Sequence, residues 1–279
     1  AQLAATLLAL MAREGITSAQ PERWLGAGGT PTTDEEYQGD VKLSPSQFER
    51  ALACPLRWFL TTIGADGPSN AAASLGTLVH ALAEENPHGS AQELTEALEA
   101  RIEELGYNLD TWAGRHSERR AHAIVDNLAS YIVGVPGRVD VEQMVEAQVE
   151  GVTIRGRMDR MEHVDEGVRV TDLKTGKSGY SAKTVPDNPQ LAAYQMALLA
   201  TGQKVAGARI ALLGDKKPKT FDQKPLEGET LEEWRGKVRE VAAIARGPYF
   251  QATPSEDACR YCSFDRLCPA RERGRKVVE

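Results

Sequence analysis

The sequence predicts an α/β fold with a mixed central sheet, and three observations carry that expectation. Residues 143–150 and 152–162 each alternate apolar and polar positions and meet at Gly151, the pattern of a β-hairpin. Asp165-Glu166-Gly167 then turns the chain into a third alternating run, Val168–Lys174. An apolar-periodic helix over Gln190–Ala200 ends near Gly202 and leads into an apolar strand at Ala208–Leu213. Three sequential antiparallel strands, then a helix and a further strand, imply helices packed on a sheet.

Taken in order, residues 1–13 read as an Ala/Leu-rich helix and Gly26 to Gly39 as a Gly/Thr/Pro-bearing linker. We therefore set 1–41 apart from a domain over 42–279. Ser44 is placed to cap a helix, with Pro45 in its first turn and Gln47 three residues after the cap. That helix leads into Cys54-Pro55-Leu56-Arg57-Trp58-Phe59, where Trp58 and Phe59 read as core. A further helix is expected over Ser74–Glu85. Two more, Ala91–Leu105 and Ser117–Val133, fall between His80 and the sheet and read as a helical insertion over about 87–140.

The 279 residues carry a formal charge of −7, which argues against a uniformly basic, DNA-coating surface. It does not argue against nucleic acid, because a bound cation offsets the charge of an acidic metal site. Basic groups stand at Arg155, Arg157 and Arg160, at Lys216, Lys217 and Lys219, and from Arg271 to Lys276. No apolar run approaches a membrane span, and no secretory leader is expected, so the expected location is cytoplasmic. The chain starts Ala1-Gln2-Leu3 without a Met, as a processed product or a piece of a longer protein would.

Asp159 is followed thirteen positions later by Asp172-Leu173-Lys174. On a strand, Asp172 and Lys174 point to the same side. Two carboxylates can share a hard divalent cation, and an adjacent ammonium can offset charge developing on a phosphate. His80 lies within the Ser74–Glu85 helix, and Gln190 and Tyr194 share a helical face at i, i+4. Each has a structural alternative: a satisfied helix histidine, an Asp159 pair with Arg157 or Arg160, a turn lysine. Glu146 and Glu150 are further acidic candidates on the first strand, and His88, His116, His122 and His163 read as surface. Simple alternation sets Asp159 opposite to Val152, Ile154 and Met158, whereas Asp172 shares the parity of Val168 and Val170. Convergence of the two carboxylates is therefore expected to need strand bending.

The ordered set Gly76-Thr77-Leu78-Val79-His80, Gly156-Arg157-Met158-Asp159-Arg160, Thr171–Lys177 and Gln190–Tyr194 resembles the PD-(D/E)xK nuclease domain of the RecB family, over about residues 42 to 270. The resemblance implies a restriction-endonuclease-like core. It implies that His80, Asp159, Asp172 and the main-chain carbonyl of Leu173 bind Mg²⁺ or Mn²⁺, and that Lys174 is catalytic. Gln190 and Tyr194 would support the site and contact DNA. The implied activity is a sequence-independent DNA nuclease, an exonuclease on single-stranded or frayed DNA, in repair or recombination end processing. An inactive DNA-binding or assembly module is the alternative.

The four cysteines are Cys54, Cys259, Cys262 and Cys268, the last three spaced C-x2-C-x5-C. Disulfides, a four-thiolate zinc site and a [4Fe–4S] cluster are all chemically open. One cysteine before the nuclease core and three after it is similar to the iron–sulfur nucleases: AddB, the AdnAB subunits and the CRISPR-associated RecB-like exonucleases. That resemblance implies a [4Fe–4S] cluster stapling the termini. AddB- and AdnAB-type domains work with helicase motors, in the same or another chain. No Gly-x-x-x-x-Gly-Lys-[Ser/Thr] loop occurs here, so any motor would lie outside this sequence.

Overall fold

The computed structural model describes residues 2–20, 35–66, 75–176, 179–260 and 262–271. Most of the expected linker, Ser74, Lys177 and residues 272–276 lie outside the described residues. The chain divides into two compact units: residues 40–49 with 69–242, and residues 1–39 with 50–68 and 243–279. Among the described residues, no helix is long and apolar enough to cross a membrane.

The elements, in chain order, begin with α1 (Gln2–Arg13), β1 (Val41–Leu43), α2 (Pro45–Ala53) and α3 (Pro55–Thr62). Then come α4 (Leu75–Glu85), α5 (Ala91–Arg101) and α6 (Trp112–Val133). The sheet follows as β2 (Val139–Val149), β3 (Val152–Val164) and β4 (Gly167–Lys174). The chain closes with α7 (Pro189–Ala200), β5 (Val205–Leu212), β6 (Lys219–Gln223), α8 (Gly228–Arg246) and α9 (Glu256–Arg260). The fold is α/β with a mixed sheet, as the alternation implies.

The larger unit is built on β3. Its residues 152–158 and 160–162 pair antiparallel with β2, through a two-residue turn in which Glu150 and Gly151 both have positive φ, the backbone a type I′ hairpin requires. Along its other edge, residues 152–154 pair parallel with β1, and residues 160–164 pair antiparallel with β4. Residues 155–159 therefore have β2 on one side and no ladder on the other. Beyond β4, β5 runs parallel and β6 antiparallel. β1 and β6 are strands the periodicity did not predict.

Two layers cover this sheet. Leu173, Ala211 and Leu213 join a buried cluster with Leu78, Leu82, Leu94, Leu98, Ile124 and Leu128 of α4, α5 and α6. Each fully buried leucine there contributes about 1.5–3 kcal/mol relative to exposure. The intervening residue, Asp172, faces the opposite way and meets α7. That helix is buried on all sides from Gln190 to Leu198, so its polar groups need internal partners. Gln195 finds them at Gln223 and the Leu226 N–H. Gln223 in turn donates to the carbonyls of Pro186 and Asn188, just before α7.

The start of α2 is capped as predicted. Gln47 N–H donates to Ser44 Oγ (3.2 Å), and Ser44 N–H donates to Gln47 Oε1 (2.9 Å). Pro45 sits against Gly156, where a Cβ would lie 2.7 Å from Pro45 Cδ and 3.0 Å from Tyr194 Cε1. Only glycine lets β3, α2 and α7 meet there.

In the smaller unit, α3 packs against the C-terminal segment. Phe59 stacks on Phe250 with ring centres 4.0 Å apart, and Trp58 lies 6.0 Å from the same ring. Leu56 N–H donates to the Gln251 carbonyl, and Arg57 Nη1 to that of Ala258. Packing and hydrogen bonds between residues 191 to 201 apart in sequence thus bring the Cys54 segment to the segment that leads into Cys259. Trp58 is buried and Phe59 half-buried.

Candidate metal centre

The site occupies the fork where β3 and β4 part. Their last ladder pair is Arg160 with Thr171, so the same register sets Asp159 opposite Asp172. Gly156 faces Tyr194 and Pro45, whereas Arg160, of the same parity, lies against Tyr131 of α6, so β3 turns over between them, the bending that the parities of Asp159 and Asp172 called for. The N–H of Leu173, lacking a strand partner at the fork, donates to Asp159 Oδ2 (2.7 Å).

On the other side of β3, Val141 faces Arg160 and Gln143 faces Met158. Glu142 between them lies across from Asp159, at φ +51° and out of the ladder. Positive φ is strained for a glutamate. The distortion brings its carboxylate into a group with His80 and Asp159 whose ligand atoms all lie within 4.8 Å of one another. His80 Nδ1 is 3.2 Å from Asp159 Oδ1. Carboxylate oxygens and an imidazole at this spacing fit a divalent cation. Glu142 was not singled out from the sequence. Of the glutamates that were, Glu146 pairs with Arg155, and Glu150 with Arg235 and Arg239.

Asp172 is 5% exposed. Its Oδ1 accepts from Gln190 Nε2 (2.8 Å). Its Oδ2 lies 2.8 Å from Lys174 Nζ but out of line for a hydrogen bond, leaving a buried oxygen without an aligned donor. Such an oxygen is a further potential ligand. Lys174 Nζ also donates to Gln190 Oε1 (3.2 Å), so Gln190 fixes both partners.

Burial holds the Asp172 carboxyl above the usual range, against the pull of Lys174. Burial lowers Lys174, but its proximity to the Asp172 carboxylate outweighs this and leaves the ammonium pKa raised. Its hydrogen bond to Asp159 raises His80, in opposition to burial. Burial likewise raises Glu142, although Arg157 pulls it down. Both shifted carboxyls here, Asp172 and Glu142, favour their neutral form because burial penalises the charge more than the nearby cations offset it.

The other predicted residues divide. Tyr194 is 6% exposed and its hydroxyl donates to the Arg157 carbonyl (2.7 Å), leaving no open ring face for a base. Of Arg155, Arg157 and Arg160, the basic group nearest Asp159 in sequence, Arg157 alone borders the centre, paired with Glu142 at 2.5 Å. Arg160 is fully buried, with one nitrogen on the Pro87 carbonyl and two without a hydrogen bond, of which Nε lies 3.9 Å from Glu162 Oε1. Near it, Glu162 accepts from Tyr131 and Arg169, and Tyr131 also reaches Thr171.

The four cysteines are half-buried, unpaired, and line one recess of the smaller unit. No three of their sulfurs lie within 4.8 Å of one another. A single zinc would draw its thiolates to about 3.8 Å, given Zn–S bonds near 2.3 Å. The spacing does not close on one zinc, and the closed ligand set the resemblance implied is not formed.

Several known proteins are similar. Gene 69 protein of Mycobacterium phage D29 is 26% identical over 270 aligned residues, covering 81% of this chain and 96% of the phage protein. The solved structure of SSO0001 superposes with a TM-score of 0.43 at 15% identity, covering 97% of this chain and 98% of that one. The "Putative exonuclease" of Eubacterium rectale gives 0.46 at 16% identity, covering 84% of this chain and 94% of that one. The sequence profile of the PD-(D/E)XK nuclease superfamily matches residues 42–269. That span takes in the whole fork, from His80 through Lys174 to Gln190, and by it the chain belongs to the PD-(D/E)XK nuclease superfamily.

Proposed function

We propose that the protein is a divalent-metal-dependent, sequence-independent deoxyribonuclease acting on single strands and frayed ends during DNA end processing. The observation that carries this reading is the convergence of His80, Glu142 and Asp159 beside the Asp172–Lys174 pair. When bound, Mg²⁺ or Mn²⁺ supplies Lewis-acid neutralisation of the phosphate. Asp159 and His80 would hold it, with Glu142 and the unaligned Asp172 oxygen within reach. Lys174, kept protonated and aimed by Gln190, offsets negative charge on a phosphate oxygen. Phosphate contacts by Lys174 and Arg157 carry no base information, which supports sequence independence.

The test compares wild type with Asp172→Ala on end-labelled single-stranded, blunt duplex and closed circular DNA, with and without Mg²⁺. Wild type should degrade single strands and frayed ends only with the cation. The variant should lose several orders of magnitude, because a ligand and the partner of Lys174 go together. Undiminished digestion by the variant would sink the assignment. Equal attack on closed circles would defeat the end preference alone.

A [4Fe–4S] cluster on Cys54, Cys259, Cys262 and Cys268 belongs to the same proposal. What supports it is the recess that all four cysteines line.

A further inference from the structure

Helix α6 opens with a run unlike the rest of the molecule: Trp112, Arg115, His116, Arg119 and Arg120 within nine residues, all exposed. Thr111 caps the helix by accepting from the Gly114 N–H (3.0 Å). Helical spacing sets Trp112, His116, Arg119 and Arg120 along one stripe. Gly114, Ala121, Ile124, Val125 and Leu128 form the buried side. Glu118 falls off the stripe and is half-buried.

Three features set this stripe apart from an ordinary solvated face. Trp112 is 70% exposed, and its ring lies parallel to that of His116, centres 5.3 Å apart and planes within 8°. Such a pair presents a flat aromatic surface to solvent. Arg115 turns back to the carbonyls of Leu109 and Asp110 (2.9 and 3.1 Å), which fixes the start of the helix. Arg119 has no partner among the described residues, while Arg120 Nη2 lies 3.5 Å from the Thr175 carbonyl.

Thr175 directly follows Lys174, so the stripe ends against the residue next to the Asp172–Lys174 pair. From Arg120 to Trp112 is eight residues, about 12 Å along the helix axis at 1.5 Å per residue. That equals roughly three to four stacked bases at about 3.4 Å each.

We propose that this stripe is a platform for single-stranded DNA, holding phosphates on Arg119 and Arg120 and stacking bases on the Trp112–His116 pair. The proposal rests on the nuclease reading for the identity of its ligand. Positive charge next to an acidic centre, on a chain of net charge −7, is complementary to a polyanion. Cationic grooves interleaved with aromatic rings are how single strands are bound without sequence preference. Tyr194, buried beneath β3, cannot take that part.

The test separates binding from chemistry. Affinity for fluorescently labelled dT15 is measured on the full chain in EDTA. Hydrolysis of bis(p-nitrophenyl) phosphate in Mn²⁺ reads the metal centre without a platform. Trp112→Ala should weaken dT15 binding about 5- to 150-fold, the worth of one base–aromatic stack. Trp112→Phe should recover most of it. Arg119→Ala/Arg120→Ala should weaken binding and flatten the log K against log salt slope by about 1.4, at about 0.7 per lost contact on a single strand. All three should hydrolyse the small ester as wild type does.

Unchanged dT15 affinity in Trp112→Ala, or an unchanged salt slope in the double variant, would overturn the platform. So would a parallel loss of ester hydrolysis, which would mark the residues as structural. If wild type binds dT15 in the expected pattern but hydrolyses nothing, the platform stands and the nuclease reading fails. If it hydrolyses the ester but ignores dT15, the platform alone fails.

Discussion

Asp159 holds two different jobs in one side chain, and two substitutions separate them. Its Oδ2 accepts the Leu173 N–H at the fork, and its Oδ1 faces His80 and Glu142 where a cation would sit. Asp159→Asn keeps an acceptor for Leu173 and removes the charge. Asp159→Ala removes both, leaving a main-chain donor unpaired at a residue 1% exposed. An unsatisfied buried donor costs about 1–3 kcal/mol, and 1 kcal/mol moves the melting temperature by roughly 2–4 °C for a domain of this size. In EDTA, Asp159→Asn should therefore melt at or above wild type, since crowding of Glu142, Asp159 and Asp172 is relieved. Asp159→Ala should melt several degrees lower. Excess Mn²⁺ should raise wild type by about 2.7 kcal/mol at a hundred times its dissociation constant and leave both variants unmoved. Thermal melting with and without the cation, alongside Mn²⁺ titration calorimetry, reads all of this. Equal stability of the two variants in EDTA would refute the structural role of the Leu173 bond. A wild-type Mn²⁺ response in Asp159→Asn would refute ligation.

The pH dependence follows from two raised groups, Asp172 and His80. Their contribution to metal-free stability is fully present below their unfolded pKa values, near 3.8 and 6.5, and is lost as pH rises through the folded ones. A cation needs both deprotonated, so the Mn²⁺-induced melting shift should be small at pH 5 and grow to pH 8; equal shifts at the two extremes would contradict this. Gly156→Ala would force a Cβ to within 2.7 Å of Pro45; urea unfolding should show a loss of about 1–3 kcal/mol, the usual cost of overpacking. Cys262→Ala should abolish visible absorbance and bound iron in anaerobically purified protein. A colourless, zinc-only wild type would remove the cluster from the proposal.

Much of this architecture was legible in the sequence because it depends on local signals. Alternation gave β2, β3 and β4, Ser44 and Gln47 gave the cap of α2, and helical periodicity gave α7. β1 has three residues and β6 is polar, so neither carries enough pattern to be seen alone. The site divides in the same way. His80, Asp159, Asp172, Lys174 and Gln190 announce themselves by residue type and order. Glu142 does not, because nothing local distinguishes it from Glu146 or Glu150; only the β2–β3 register and a distorted backbone place it opposite Asp159. Arg160 and Arg157 differ by three positions in sequence, yet one is sealed beneath α6 and the other faces the cation group. That separation is a matter of packing on the two faces of β3.

The Tyr131 hydroxyl, supplied by α6, bonds to Glu162 and Thr171 on β3 and β4, immediately beside the fork. Leu173, between Asp172 and Lys174 of β4, is buried by the same helical cluster. The lobe that interrupts the motifs in sequence therefore cannot be exchanged as a detachable module. Grafting a relative's lobe here without its own Tyr–Glu–Thr contact would strand a carboxylate in the interior and let the two strands of the fork shift register. Lineages that vary this region would have to change the lobe and the sheet beneath it together.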